Sequence, residues 1–573
     1  MRKFLLGILT GLILTVLSVI VLVFSAARFG ENRPTISDNA TLVLNLRGDV
    51  PEKATLSFPV PIPFLSSSPS LTVQEIWMAL HRASTDNRVK AIVLNVGRVD
   101  AGWGKMNELR EDILAFRKSG KPVYAFLRSP RLREYYLATA ADRIYANPED
   151  LFDLKGMRAE IMFFKNALDK VGVQIEVAHV GKYKDAGDMF TETAITPETR
   201  ESLGLLLDGI YGSTVEAIAT ARKKTPEEIR AIFDDGPYTS KQAMKAGLLD
   251  ALRYEDQAYG ELKTQLKQQE LKKVDFRNYV RSLTPDTGKK RVAFVVGSGT
   301  MLRGSGDDAM GTDEGFTSQA FIKMLHTVAQ DSSISGVILR VDSPGGDAFA
   351  TDEMLREVRL LREKKPMVIS FSDYAASGGY YVAMTGDPIV AYPNTVTGSI
   401  GVVFSKPNLR GLYDKLGIQK DYILRGKNAA IDTDYGPMTP DARVKLQVGL
   451  EELYTQFVTA VSEGRKRKYD EMEPLAQGRV WLGSDAKQKG LVDELGGLDT
   501  AVAAIRKKVG LQENEAVRLV PYPPKRTLLE QLLKSSSETS TVESQLSKAT
   551  GIDLRLFTDS RYLHWLPFQL RMN

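Results

Sequence analysis

Ser377 stands in Tyr374-Ala375-Ala376-Ser377-Gly378-Gly379-Tyr380-Tyr381, a serine among small residues where an apolar strand pattern passes into a helical one. At such a junction a hydroxyl can be exposed while the following backbone N–H faces the same site, the logic of a nucleophile elbow. A serine that merely caps a helix has the same setting. As a nucleophile it needs a base, and the chain has four histidines to offer. His81 and His326 fall at matching positions of two similar helical segments and are read as packing residues. His179 ends the apolar run VQIEVAHV, and His564 lies near the C-terminus. Neither has triad-like context, and no histidine follows Ser377 until His564, which disfavours a Ser-His-Asp machine. With no cysteines, thiolate nucleophiles, disulfides and Cys-ligated metals are excluded. Lysine remains as the base.

Which lysine is decided by an internal repeat. IWMALHRASTDNRVKAIVLNV, from Ile76, matches FIKMLHTVAQDSSISGVILRV, from Phe321. The same register carries Glu108 onto Glu353, Tyr135 and Tyr136 onto Tyr380 and Tyr381, Pro148 onto Pro393, and Gly181-Lys182 onto Gly426-Lys427. After a small deletion, Thr196-Pro197 falls on Thr439-Pro440 and Gly247-Leu248 on Gly490-Leu491. Against this frame the counterpart of Ser377 is Leu132, and the counterpart of Lys184 is Ala429. The half with the serine lacks the lysine, and the half with the lysine lacks the serine. Such complementary loss points to one composite site, whereas Lys182, repeated as Lys427, is assigned to the fold. Only the second half has Gly345-Gly346 after its strand, where the first has Asp100-Ala101. Paired glycines there either turn N–H groups toward a developing oxyanion or form a structural turn.

A lysine base must be uncharged, although its reference pKa is about 10.4; burial in apolar surroundings lowers it by several units. Asp185 and Asp188 would oppose this, so they are expected to face away from the amine. The chemistry needs no metal or cofactor, and a chelator is expected to leave activity intact.

The elements that must position these groups are alternating apolar strands and amphipathic helices in each half, an α/β pattern with a largely parallel sheet. We divide the chain into an anchor (1–27), a first half (28–265), a lysine- and glutamine-rich linker (266–290), a second half (291–520) and a tail (521–573). The tail is rich in Pro, Ser and Thr and is expected to be a mobile appendage that could end in a packed helix. The 573-residue length allows several domains, and 43% hydrophobic with 26% charged residues is ordinary globular composition. Lys plus Arg (76) barely exceeds Asp plus Glu (71), so no nucleic-acid partner is indicated. Phe4 to Ala26 is unbroken by charge and long enough to span a hydrocarbon core of about 30 Å. We read it as an uncleaved single-pass anchor rather than a signal peptide, whose apolar region runs only about 7 to 15 residues. Arg2 and Lys3 keep the short end inside, leaving the rest facing the periplasm or exterior, against which Arg28 and Arg33 count. The apolar run Leu56 to Leu65 is either a lipid-facing or substrate-guiding loop or a buried crossing.

At these residues the chain resembles the signal peptide peptidase A (protease IV) family in its long two-domain bacterial form. The likeness spans nearly the whole chain and is carried by GKYKDAG around Lys184, DSPGG at Asp342 to Gly346, YAASGGYY around Ser377 and TGSIGV from Thr397 to Val402. The resemblance implies Ser377 as nucleophile, Lys184 as general base, and Ser399, whose first-half counterpart is Leu154, as the hydroxyl that orients the amine. It places oxyanion donors at the N–H groups of Gly345, Gly346 and Gly378. It also implies tandem Clp-protease/crotonase-like (β-β-α superhelix) domains, a bowl-shaped homotetramer, an inner-membrane location and apolar peptide substrates such as cleaved signal peptides. Asp342 and Asp347 depart from the family's frequent Asn and Ser, and both are expected to point away from the oxyanion site. A crotonase-type acyl-CoA enzyme and a catalytically silent membrane scaffold are the competing readings.

Overall fold

The computed structural model describes residues 33–54, 70–284, 288–304, 315–524 and 562–565, with Gly11. The expected anchor, Gly11 apart, and the run Leu56 to Leu65 lie outside the described residues. No helix among the described residues is long and apolar enough to cross a membrane.

In the first half, strands β1 (Ala40–Asp49), β2 (Val89–Asp100), β3 (Val123–Leu127) and β4 (Arg143–Ala146) alternate with helices that include α1 (Val73–Thr85) and α2 (Trp103–Arg117). Further on come β5 (Gln174–Val180), the long helix α3 (Pro197–Arg222), and strands β6 (Ala251–Leu252) and β7 (Lys272–Asp275), followed by α4 (Phe276–Ser282). The sheet order is β6-β4-β3-β2-β1-β7, and every neighbour is parallel. Helix α1 starts where Thr72 and Glu75 form a reciprocal cap, and it buries Val73, Ile76, Ala79, Leu80 and Ala83, the spacing of one helical face.

The second half begins with β8 (Lys290–Ser298), β9 (Thr300–Leu302) and β10 (Gly315–Thr317), then α5 (Ser318–Gln330) and β11 (Ile334–Ser343). Next are β12 (Gly345–Asp347), α6 (Ala348–Lys364), β13 (Met367–Ala376), the short α7 (Gly378–Tyr381), β14 (Val396–Gly398) and β15 (Val402–Asn408). The long helix α8 (Pro440–Arg465), β16 (Val480–Leu482), β17 (Val517–Tyr522) and β18 (Tyr562–Trp565) complete it. Its main sheet runs β16-β14-β13-β11-β8-β17, parallel except for the antiparallel β14–β16 pair. Because side chains alternate across a strand, β8 sends Val292, Phe294 and Val296 into the first half's core and Ala293 and Val295 into the second's. A sheet covered on both faces needs the continuous apolar runs seen here.

The same local bonds recur in both halves. Thr196 and Thr439 cap α3 and α8, each ahead of a proline, and both helices end at a lysine with φ of +54°. Tyr135 donates to Leu248 O and Tyr380 to Leu491 O, both at 2.8 Å. Arg222 pairs with Asp250 as Arg465 pairs with Asp493.

The linker 266–290 is, in its described residues, built into the first half: β7 pairs in parallel with β1, and α4 buries Phe276 and Tyr279 in the first core. Its exposed Lys272 and Lys273 are edge-strand residues, and charge on an edge hides a strand pattern while it discourages stray pairing. Within 521–573, β17 reaches Tyr522 and β18 is inserted in a sheet of order β10-β9-β12-β18-β15-β5, while the rest of the expected tail lies outside the described residues.

Candidate active site

β13 ends at Ala376, and α7 begins at Gly378, so Ser377 must turn the chain within one residue. It does so at φ +54°, ψ −118°, an unfavourable conformation for a side-chain-bearing residue. Its N–H is held by Gly398 O at 2.7 Å, which fixes the turn. Gly378 opens α7, where N–H groups have no intrahelical acceptor. Gly346 lies on β12, and a Cβ there would sit 1.9 Å from Met301 O, so only glycine lets β12 approach β9.

Lys184 arrives from the other half. β5 leaves the first half and pairs antiparallel with β15 from Val180↔Val402 to Gln174↔Asn408, which delivers the Gly181–Lys184 turn to the second half. There Tyr183 N donates to Gln477 O at 2.8 Å. A Cβ on Gly478, whose φ is +76°, would lie 2.5 Å from Lys184 N, so this close docking requires glycine. The amine ends 2.8 Å from Ser377 Oγ, 2.9 Å from Ser399 Oγ and 3.0 Å from Ser399 O. Lys184 is 1% exposed and Ser377 and Ser399 are 0% and 1%. Burial drives the lysine pKa down to about 7, with Asp185 opposing. An amine with three oxygen neighbours is hydrogen-bonded in either protonation state, but only the neutral form has a lone pair for a proton.

Asp185 and Asp188 face elsewhere. Asp185 accepts from Thr199 Oγ1 at 2.6 Å, and Asp188 from Thr196 Oγ1 at 3.4 Å, both at the start of α3. Burial pushes the Asp185 carboxyl up, and burial together with the Asp185 charge takes Asp188 up to about 7. The added carboxylates near the glycine pair are likewise engaged: Asp342 meets Lys105 at 2.8 Å and accepts from Tyr374 N, while Asp347 takes both oxygens to Arg303 and caps α6 at Ala350 N.

Of the three glycines assigned to an oxyanion hole, Gly345 has its N–H engaged, donating to Ser343 Oγ at 3.1 Å. The histidines differ from expectation. His81 and His326 lie on exposed helix faces, His326 against Glu357 at 2.8 Å, so their shared position reflects a surface contact rather than core packing. His179 is exposed and its Nδ1 is 3.1 Å from Gly181 O. Lys182 and Lys427 are exposed and face acids in the first turns of α3 and α8, Glu198 and Asp441.

A buried ionic network between the halves was missed at the sequence level. Arg340, on β11 and 0% exposed, meets Glu52 at 2.9 Å and Glu108 at 2.6 Å, and donates to Ser370 and Ser372. Asp373, four residues before Ser377, accepts from Gly102 N and Lys105 N at 2.7 Å and so caps α2 of the other half. The strand carrying the serine is thus clamped to the half that supplies the lysine. The only sequence signal is an arginine, then an aspartate, at alternate positions of an otherwise apolar strand (GVILRVD), which places them on one face.

The model of the peptidase family S49 matches residues 115–269 and again 359–512. A chloroplast serine protease SPPA of Arabidopsis thaliana is 33% identical over 506 residues, 87% of this chain and 73% of that protein. Protease 4 of Salmonella typhi is 29% identical, covering 83% of this chain and 77% of its own length. Protease 4 of Haemophilus influenzae is 28% identical, with 87% and 84% covered. The solved structure of a ClpP1 mutant from Listeria monocytogenes, 11% identical, covers 36% of this chain and 93% of its own with a TM-score of 0.24, too low to bear on the fold. The class is therefore that of the serine peptidases. Within it, the chain belongs to peptidase family S49.

Proposed function

We propose that the chain hydrolyses peptides with a Ser-Lys dyad, Ser377 as nucleophile and Lys184 as base. The observation that carries this reading is the buried amine 2.8 Å from Ser377 Oγ, its pKa drawn down to about 7 by burial. Neutral Lys184 takes the hydroxyl proton as Oγ attacks the peptide carbonyl. The tetrahedral oxyanion is held by the N–H groups of Gly346 and Gly378, the lysine returns the proton to the leaving amine, and water then hydrolyses the acyl-enzyme. Ser399 holds the amine in line through its hydroxyl and carbonyl oxygens. The cycle uses only side chains and backbone, with no metal or cofactor.

The finer reading extends to location, substrate, assembly and fold. The apolar Phe4 to Ala26 run supports single-pass anchoring in a bacterial inner membrane, with the catalytic halves outside the cytoplasm. A membrane-tethered outward site suits cleaved signal peptides and other apolar peptides. The exposed Leu416, Ile418, Ile423 and Leu424 supply an apolar surface that supports a homotetramer. Repeated parallel β-α units support the Clp-protease/crotonase-like class.

The test is hydrolysis of an apolar peptide ester by the detergent-solubilised protein, alongside labelling of Ser377 by a serine-directed phosphonate. Ser377→Ala and Lys184→Ala are each expected to abolish turnover, and Lys184→Ala to suppress labelling. Full activity in both variants would refute the dyad.

A further inference from the structure

β13 does not reach Ser377 in regular register. It pairs with β11 up to Val341↔Phe371, and the next pair is Ser343↔Ala375, so Ser372, Asp373 and Tyr374 stand opposite Asp342 alone. Such a bulge bends its strand and re-aims the residues that follow; here register resumes at Ala375, two residues before Ser377. In the first half, β2 and β3 pair in unbroken register to Val96↔Leu127, where β3 stops at the counterpart of Ser372. The bulge is held by residues of the first half. Asp373 accepts from Gly102 N and Lys105 N at the start of α2, and Ser372 Oγ donates to Glu52. Lys105 Nζ lies 2.8 Å from Asp342 and 3.7 Å from Asp373. Asp342 Oδ1 in turn accepts from Tyr374 N at 3.1 Å, a side chain standing in where the ladder is interrupted. A Cβ on Gly104 would lie 2.5 Å from Ser372 O, and one on Gly102 2.3 Å from Asp373 Cγ, so α2 docks this closely only through glycines.

Lys105 and Lys184 are both buried first-half lysines that face the second half, but in opposite surroundings. The oxygens around Lys184 are two hydroxyls and a carbonyl. Burial alone would lower the Lys105 amine too, but the charges of Asp342, Asp373 and Glu52 hold it well above the usual lysine range, so it stays protonated. That one cation ties β13, four residues ahead of Ser377, to the end of β11. We propose that Lys105 is a positioning residue for the reaction: by bridging Asp342 and Asp373 it fixes the bulge that aims Ser377, so the first half supplies the alignment of the nucleophile as well as its base. This rests on the peptidase reading above and adds a residue that acts through Asp342 and Asp373 and not on the reacting atoms.

In the full-length, detergent-solubilised chain, Lys105→Met leaves Asp342 and Asp373 together without their cation. Misplacing a reacting group by about 1 Å costs on the order of 100-fold. Turnover of an apolar peptide ester is counted per folded molecule, with the folded fraction read from urea curves, so a purely structural loss would leave kcat unchanged. Lys105→Met is expected to lower kcat and the rate of phosphonate labelling of Ser377 about 100-fold, with KM within about twofold of wild type. Adding Asp342→Asn removes one carboxylate yet keeps an oxygen for Tyr374 N, and should return kcat to within about tenfold of wild type. Where Lys105→Met does not fold, Asp342→Ala and Asp342→Asn carry the comparison, because Lys105 keeps Asp373 in both. Loss of the acceptor for Tyr374 N is expected to make the alanine variant about tenfold slower than the asparagine variant in kcat and labelling. An unchanged kcat in Lys105→Met, a double variant no faster than Lys105→Met, or equal rates in Asp342→Ala and Asp342→Asn would overturn the proposal while wild type still turns over and labels. Absence of labelling and turnover in wild type would overturn the peptidase reading with it.

Discussion

Lys184→Met keeps the length and apolar stem of the side chain while removing the amine, and its effect on stability should depend on pH in a way that reports the buried amine directly. The lysine titrates near 7 in the fold against an ordinary 10.5, a difference of 10.5 − 7 = 3.5. Because the folded value is depressed, the folded protein binds fewer protons than the unfolded chain between pH 7 and 10.5. Stability therefore rises with pH across that window, and the cost of the lysine is fully present below it. At about 1.4 kcal/mol per unit, that cost is about 5 kcal/mol at pH 6 and about 2 kcal/mol at pH 9. Methionine avoids it, but forfeits the contacts to Ser377 and Ser399, worth roughly 1 kcal/mol each. Lys184→Met should thus be inactive, more stable than wild type by about 2 kcal/mol at pH 6, and equal to it or slightly less stable at pH 9. Urea midpoints of the two proteins at pH 6, 7, 8 and 9 measure this, and the quantity to read is the change of about 3 kcal/mol in their difference between the extremes. A difference that stays flat with pH would mean that the amine is not depressed, and the proposed base would lose its physical basis.

Two further outcomes are expected. Ser399→Ala removes one of the oxygens that hold the amine while leaving the other, and kcat for the peptide ester at pH 8 should fall about tenfold, the equivalent of one hydrogen bond, with thermal stability nearly unchanged; an unaltered kcat would exclude an orienting role. Arg340→Met strands Glu52 and Glu108 in the interior and should cost about 3–5 kcal/mol in the urea midpoint. A loss below about 1 kcal/mol would mean that the interface between the halves does not depend on this charge.

The pairing of Ser377 with Lys184 was legible because duplication leaves a record: Leu132 and Ala429 mark where each half gave up one member. The parallel strands were legible for a different reason. A sheet buried on both faces demands unbroken runs such as GVILRV and AIVLNV, and little else produces them. What the linear pattern hid were contacts between distant partners. Arg340 meets Glu52 from 288 positions away, and no local periodicity records such a pairing. β5 was readable as a strand, but nothing in VQIEVAHV says that it pairs with the other half's β15. β18 is four residues long, too short for alternation to register, and is defined by the edges that receive it. The Gly345 N–H donates to Ser343 Oγ, two residues earlier, a contact that only coordinates reveal.

The two reacting groups of the proposed dyad lie 193 positions apart, on halves that meet only when the later one docks against the earlier. A ribosome completes the lysine-bearing half long before the serine exists, and a prematurely released fragment of either kind carries no working pair. Biosynthesis therefore comes with its own safety catch: hydrolytic power is switched on by completion of the chain, and limited nicking of the mature enzyme that lets its halves drift apart should silence it without any inhibitor.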